Sequence, residues 1–234
     1  MAKWNKRQLR MADDHGWRCK PGYTIFVADR GAVRFDIPES WVVEVDAEGV
    51  KIHDKQPPDD DARLQLSVFY PPPAVDWTHL PLATLLVDAL AGRGRGAAPE
   101  AEATDRQPGR ARRALLRGDR DDPLAGLADD LDPDEDDDLL GQDPVSHVLR
   151  PGLEIVWTEV RRLDPEEKRE ARHRHLFARG RGTDRGYERE ILPFITMDFW
   201  PEDAGRCKIV WTELVRSLRV GQYVADPRKG PQRA

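Results

Sequence analysis

The sequence predicts an α+β fold: one antiparallel sheet of about six strands with two main helices packed on it, interrupted by a long disordered insert. Three observations carry that expectation. Apolar residues gather in two blocks, 22–90 and 150–222, with an intervening stretch that holds almost none. The strand-like runs inside the blocks come as hairpins with short turns, which implies antiparallel pairing. Within those two blocks, only two segments have the three-and-four spacing of apolar residues that an amphipathic helix requires.

The organisation that follows is a flexible N-terminal arm (1–21), the first half of the domain (22–92), a charged insert (93–149), the second half of the same domain (150–222) and a frayed tail (223–234). Trp4 and Trp17 are possible anchors for the arm. Tyr23-Thr24-Ile25-Phe26-Val27 is β-branched and aromatic, Asp29-Arg30-Gly31 makes a turn, and Val33 to Ile37 alternates with period two until Pro38. Trp41 to Val45 and Val50 to Ile52 follow, joined by Asp46-Ala47-Glu48-Gly49, and Arg63 to Tyr70 alternates again before Pro71-Pro72-Pro73. Trp41 opens its strand and is expected to be buried. A helix should run from about Leu80 to Leu90, with Leu82, Leu85, Leu86, Ala89 and Leu90 inward.

The insert is basic in its first half, where Arg93, Arg95, Arg106, Arg110, Arg112, Arg113 and Arg117 lie. Its second half is acidic, with twelve acids against one Arg between Asp119 and Asp143. With no aromatic residue from 93 to 144, it cannot bury enough apolar surface to offset its ordering entropy. Strands are expected again at Leu153 to Val160, Ala171 to Ala178 and Ile191 to Trp200. Arg179-Gly180-Arg181-Gly182 reads as a flexible connection. A final helix should bury Ile209, Leu214, Val215 and Leu218, with Asp203 as its cap and Gly221 as its stop.

The net charge of −6 argues against a nucleic-acid binder, which needs a basic face. No segment approaches the roughly 18 apolar residues of a membrane span, and the basic start lacks the apolar core of an export signal. A cytoplasmic protein is expected. Cys19 and Cys207 are far apart without metal-type spacing, and a pairing between them would need an oxidising compartment.

Phe35-Asp36-Ile37-Pro38-Glu39-Ser40-Trp41 resembles the aromatic-x-aliphatic-Pro-x-x-Trp opening of the PsbP-like fold. Met197-Asp198-Phe199 followed by Trp211-Thr212-Glu213-Leu214-Val215-Arg216-Ser217-Leu218 is similar to that group's terminal strand and helix. The group includes a photosystem extrinsic subunit, a nuclear-import factor and bacterial chaperones and lipoproteins. The resemblance therefore implies a binding protein rather than an enzyme.

Chemistry-bearing residues are few. His173 and His175 would share one face of a strand and are the candidate metal pair. No third ligand lies nearby and Arg172 and Arg174 flank them, so a solvated sheet face is the favoured reading and no metal or cofactor is expected. Asp132, Asp134, Asp136 and Asp138 alternate like a calcium loop but lack its glycine and flanking helices. Ser146 and His147 fit no nucleophile pattern, so no catalytic residue is nominated. Leu124, Leu127 and Leu131 have helical spacing within the acidic half of the insert and could dock on a partner protein. Ile-Val-Trp-Thr-Glu occurs at 155–159 and again at 209–213, read as a coincidence between a strand and a helix. The leading expectation is a non-enzymatic binding or adaptor protein whose partner is another protein. The alternative is a small-molecule or metal-binding domain with a pocket on the sheet, and an enzyme comes third.

Overall fold

The computed structural model describes residues 6–45, 49–72, 77, 79–91, 139–184 and 186–231. In it the apolar-rich blocks join side by side into one larger sheet, with a smaller sheet against it. β1 (Tyr23–Ala28) and β2 (Val33–Pro38) form a hairpin through a 3-10 turn at Asp29–Gly31. β3 (Val42–Val45), β4 (Val50–His53) and β5 (Ala62–Phe69) then begin the larger sheet, and α1 (Leu82–Leu90) follows. After the long polar stretch come β6 (Leu139–Gln142), β7 (Ser146–Arg150), β8 (Leu153–Leu163), β9 (Glu170–Asp184) and β10 (Tyr187–Phe199). α2 (Ala204–Ser217) and β11 (Arg219–Val220) complete the order.

The larger sheet runs β3-β4-β5-β10-β9-β8-β6, with β7 also paired to β8, and every pairing is antiparallel. The smaller sheet is β1-β2-β11. The α+β class and the two helices are as expected, whereas the described residues hold eleven strands in two sheets instead of about six in one. Part of the difference lies at 139–150, left in the insert by its polar surroundings. There Leu139–Gln142 and Ser146–Arg150 pair side by side along the long strand β8.

The central strands carry apolar residues on both faces because both are covered. Leu82, Leu86 and Leu90 of α1 pack on Val156, Val160, Phe177, Leu192 and Phe194. On the opposite face, Ile155, Leu176, Ile195 and Met197 meet α2 and the smaller sheet through Phe35, Ile37, Cys207, Val210, Trp211 and Leu214. Successive strand residues project to opposite sides, so Ile155-Val156 and Leu176-Phe177 each feed both layers. Trp41 is buried in the layer beneath α2, as expected.

The helical stripe of α2 is Cys207, Val210, Trp211 and Leu214, all buried. Ile209, expected in that stripe, is instead 60% exposed, because it lies on the far side of the turn from Trp211. Asp203 precedes α2 but makes no side-chain capping bond.

Arg179-Gly180-Arg181-Gly182 is regular strand within β9, not a flexible connection. Its glycines answer to packing. A Cβ on Gly180 would stand 2.7 Å from Val220 Cβ, and one on Gly182 would stand 2.5 Å from Gly221 Cα. Removing both side chains lets β11 lie directly over β9 and joins the two sheets.

The chain ends also pack together. Ala12 N–H donates to Arg228 O at 3.0 Å and Gly16 N–H to Lys229 O at 2.7 Å. Trp17 is buried and donates from Nε1 to Pro227 O at 2.7 Å. The described parts of the expected loose arm and frayed tail are thus hydrogen-bonded to each other.

Candidate functional site

A cavity of about 620 Å³ opens beside the C-terminal end of α2. Arg18, Cys19 and Lys20 line it from the arm, Arg34 and Asp36 from β2, Glu213, Arg216 and Ser217 from α2, and Arg219 from β11. Five side chains are basic and two acidic, so the lining carries an excess of three positive charges in a chain whose net charge is −6.

Arg34 forms the floor. Alternation on β2 turns Arg34 and Asp36 to the same side, where Nη2 donates to Asp36 Oδ1 at 2.8 Å. The same nitrogen donates to Arg18 O at 2.5 Å, and Nη1 donates to Ser217 O at 3.4 Å. Its guanidinium lies 5.5 Å from the Trp17 ring. Burial pushes the Arg34 pKa down, countered by Asp36. Burial likewise pushes Asp36 up, countered by Arg34. The pair therefore depends on each partner to keep the other charged. Arg34 Nε is buried and has no hydrogen-bond partner among the described residues. Ser217 Oγ accepts from Asp36 N–H at 2.8 Å and donates to Leu214 O at 3.3 Å, locking β2 to the end of α2.

The rim is built by the last turn of α2. Arg216 spans back to Glu213, donating from Nε to Oε2 at 3.0 Å and from Nη2 to Oε1. Arg150 donates to Arg216 O at 3.1 Å, and Arg219 donates to Arg216 O at 3.1 Å and to Leu218 O at 2.8 Å. These guanidinium groups satisfy carbonyls that a helix end leaves unpaired and oppose the negative end of its dipole. Arg18 and Lys20 stand exposed at the mouth, with Lys20 Nζ 5.2 Å from the Tyr23 ring centre. Cys19 donates to Tyr23 O at 3.4 Å, and burial pushes its thiol pKa up, so it is not an activated nucleophile.

The histidine pair lies elsewhere, on the α1 side of the larger sheet. His173 and His175 do share a face, with ring centres 6.4 Å apart. That face is not solvated as expected: His175 is buried and lies against Phe194, ring centres 6.1 Å apart. His173 Nδ1 is 2.9 Å from Asp198 Oδ1, and Arg63 donates to Asp198 Oδ2 at 3.0 Å. Burial works against the Asp198 carboxylate, but the bonds from His173 and Arg63 outweigh it and hold its pKa at about 2. Burial pushes His175 down to about 4, so it stays neutral at ordinary pH. The flanking Arg174 points to the opposite face, where it donates to Glu159 at 2.7 Å beneath α2. Among the described residues no three His, Cys, Asp or Glu side chains converge as a metal site.

Leu124, Leu127 and Leu131 and the acidic run 132–138 lie outside the described residues. Ser146 and His147 are consecutive on β7, so they face opposite ways, and His147 Nε2 is 3.0 Å from Glu154 Oε1. Cys19 and Cys207 are both free thiols; Cys207 is buried in the core, which pushes it up to about 11. No helix among the described residues is long and apolar enough to cross a membrane.

None of the cleft residues was anticipated. The local signals were Arg34 and Asp36 two apart on a strand, and Glu213 and Arg216 three apart on a helix. Their convergence depends on chain segments almost two hundred residues apart.

Comparison with known proteins completes this picture. Cyanobacterial PsbP of Synechocystis sp. PCC 6803 is similar across 88% of this chain and 98% of its own, at 12% identity and a TM-score of 0.42. LpqN, involved in cell envelope biogenesis of Mycobacterium tuberculosis, is similar across 85% of this chain and 90% of its own, at 8% identity and a TM-score of 0.44. The first is of the PsbP kind that the Phe35–Trp41 and Trp211–Leu218 segments resemble. At these TM-scores neither likeness bears on function. An uncharacterised protein of Nostoc sp. (strain PCC 7120) is 31% identical over 229 residues, covering 97% of this chain and 93% of that protein. The Alr1449 family model matches residues 24–117 and 117–224, and with this relative it shows that the chain belongs to the Alr1449 family.

Proposed function

We propose that the protein is a non-enzymatic binding protein and that the basic cleft beside the end of α2 is its recognition site. The observation that carries this reading is the excess of three positive charges around a cavity of about 620 Å³, with the buried Arg34 at its floor. Unlike-charge complementarity of this kind steers association and selects partners. The structural work of these residues does not exhaust them. Arg216 is neutralised by Glu213 and Arg34 by Asp36, but Arg18, Lys20 and Arg219 have no carboxylate partner within the lining.

The catalytic alternative lacks support from the site. Its thiol is pushed toward the neutral form, Ser217 is committed to Leu214 and Asp36, and among the described residues no histidine lines the cavity. The test is a pull-down with the full chain against its Arg18→Glu/Lys20→Glu variant. Both side chains are exposed, so the variant should fold and melt like the parent. Specific partners should be lost from it. Recovery of the same partners at the same yield would place the recognition site elsewhere.

A further inference from the structure

Resting on that reading of the cleft, we infer that its ligand is an acidic peptide segment, a run of chain bearing spaced carboxylates, rather than a compact phosphate group. The cleft lacks what a compact phosphate favours. Phosphate sites commonly use helix N-termini or glycine-rich backbone nests, where N–H groups converge on one point. Here the helix end at the cavity is the C-terminus of α2, whose carbonyls carry the opposite partial charge. Among the described residues no glycine lines the cavity.

The charges also come from four separate parts of the chain. Arg18 and Lys20 come from the arm, Arg34 from β2, Arg216 from α2 and Arg219 from β11, with Asp36 and Glu213 set among them. A dense dianion placed centrally would pair with some of these cations while facing both carboxylates. Single carboxylates spaced along a chain can each meet one guanidinium in a two-pronged geometry. The peptide's own N–H groups can turn toward the acidic positions. Arg34, held in place by Asp36 and by Arg18 O, contributes its charge at the floor.

The experiment is a titration of the full chain with a fluorescein-labelled peptide of alternating Glu and Gly, read by anisotropy at low salt. Three comparisons accompany it: the same peptide with Gln for Glu, inorganic pyrophosphate followed by calorimetry, and the Arg18→Glu/Lys20→Glu variant. The Glu peptide should bind at least about tenfold more tightly than the Gln peptide and lose about tenfold in the variant. Its affinity should fall as salt rises through the range where the screening length shrinks from about 30 to 10 Å. Pyrophosphate binding that the variant abolishes, with no binding of the Glu peptide, would overturn the peptide assignment and leave the cleft as an anion site. Equal binding of Glu and Gln peptides would also overturn it. Failure of both anions to bind would remove the cleft reading itself.

Discussion

Trp157 on β8 and Trp211 on α2 meet edge to face, with ring centres 5.8 Å apart and planes inclined at 69°. They are the central residues of the repeated Ile-Val-Trp-Thr-Glu, which is strand in its first copy and helix in its second. The same five residues thus adopt two conformations and pack against each other, showing how far tertiary context overrides local propensity. A double-mutant cycle with Trp157→Leu and Trp211→Leu should give a coupling of about 0.5–1.5 kcal/mol in denaturant melts, the usual worth of such a pair beyond its buried area. Strict additivity would mean that the rings are neighbours without interacting.

Trp41 opens β3's approach to the larger sheet, its N–H donating to Pro38 O at 3.1 Å and its ring buried beneath α2. Trp41→Ala should cost about 3–5 kcal/mol, the transfer loss of a large aromatic plus the cavity it leaves. Urea unfolding gives the value directly. A cost below half a kcal/mol would contradict the burial of the ring.

Stability should fall in mild acid because of His175. Its folded pKa is lowered to about 4 from an ordinary 6.5, chiefly by burial. Asp198 pulls it up, while His173 and Arg162 push it down. Since the unfolded chain takes up the proton first, stability is full above pH 6.5, declines as pH falls below it and levels off once pH passes about 4. The loss from this residue alone is on the order of 3 kcal/mol. His175→Phe, which keeps a ring against Phe194, should flatten that part of the pH profile. An unchanged acid slope in the variant would move the effect to another group.

The polar stretch 93–138 should be dispensable for folding. It holds no aromatic residue, and the sheet resumes at Leu139, which sets the limit of the deletion. Replacing it with a flexible Gly-Ser linker of about ten residues should shift the thermal midpoint by no more than a few degrees. Calorimetry of the two chains decides it. Loss of the cooperative transition would mean that the stretch contributes to the core.

The elements were legible wherever one physical rule set the pattern. Alternation marked β2 and β5, and the spacing of Leu82, Leu86 and Leu90 marked α1. The reading failed where two rules competed. Gly180 and Gly182 looked like loop residues, although isolated glycines in a strand also mark a close backbone approach, which is their role against Val220 and Gly221. Ile209 was placed inward by apolarity, while the stripe followed Cys207, Val210, Trp211 and Leu214. His175 reads as part of a solvated sheet face because Arg172 and Arg174 flank the pair, whereas its place in mid-sheet against Phe194 buries it. The local signals of the cleft, Arg34 with Asp36 and Glu213 with Arg216, do not reveal it, since Arg18, Arg34 and Arg219 are distant in sequence and meet only in the fold.

The pairing of β5 with β10, from Ala62 opposite Phe199 to Phe69 opposite Leu192, stitches the first block of the chain to the last. Its consequence is kinetic. The β8-β9-β10 meander can zip from its own turns, but β3, β4 and β5 join the larger sheet only along β10, so their docking must wait for a closure spanning more than half the chain. Such long-range closure sets the folding rate more than the final stability, because loop entropy grows by only about 0.6 kcal/mol per doubling of length. Shortening the polar stretch therefore changes the time needed to find the native pairing by a modest factor. The Arg63–Asp198 ion pair, at 3.0 Å, lies on this seam and forms only once that closure has been made.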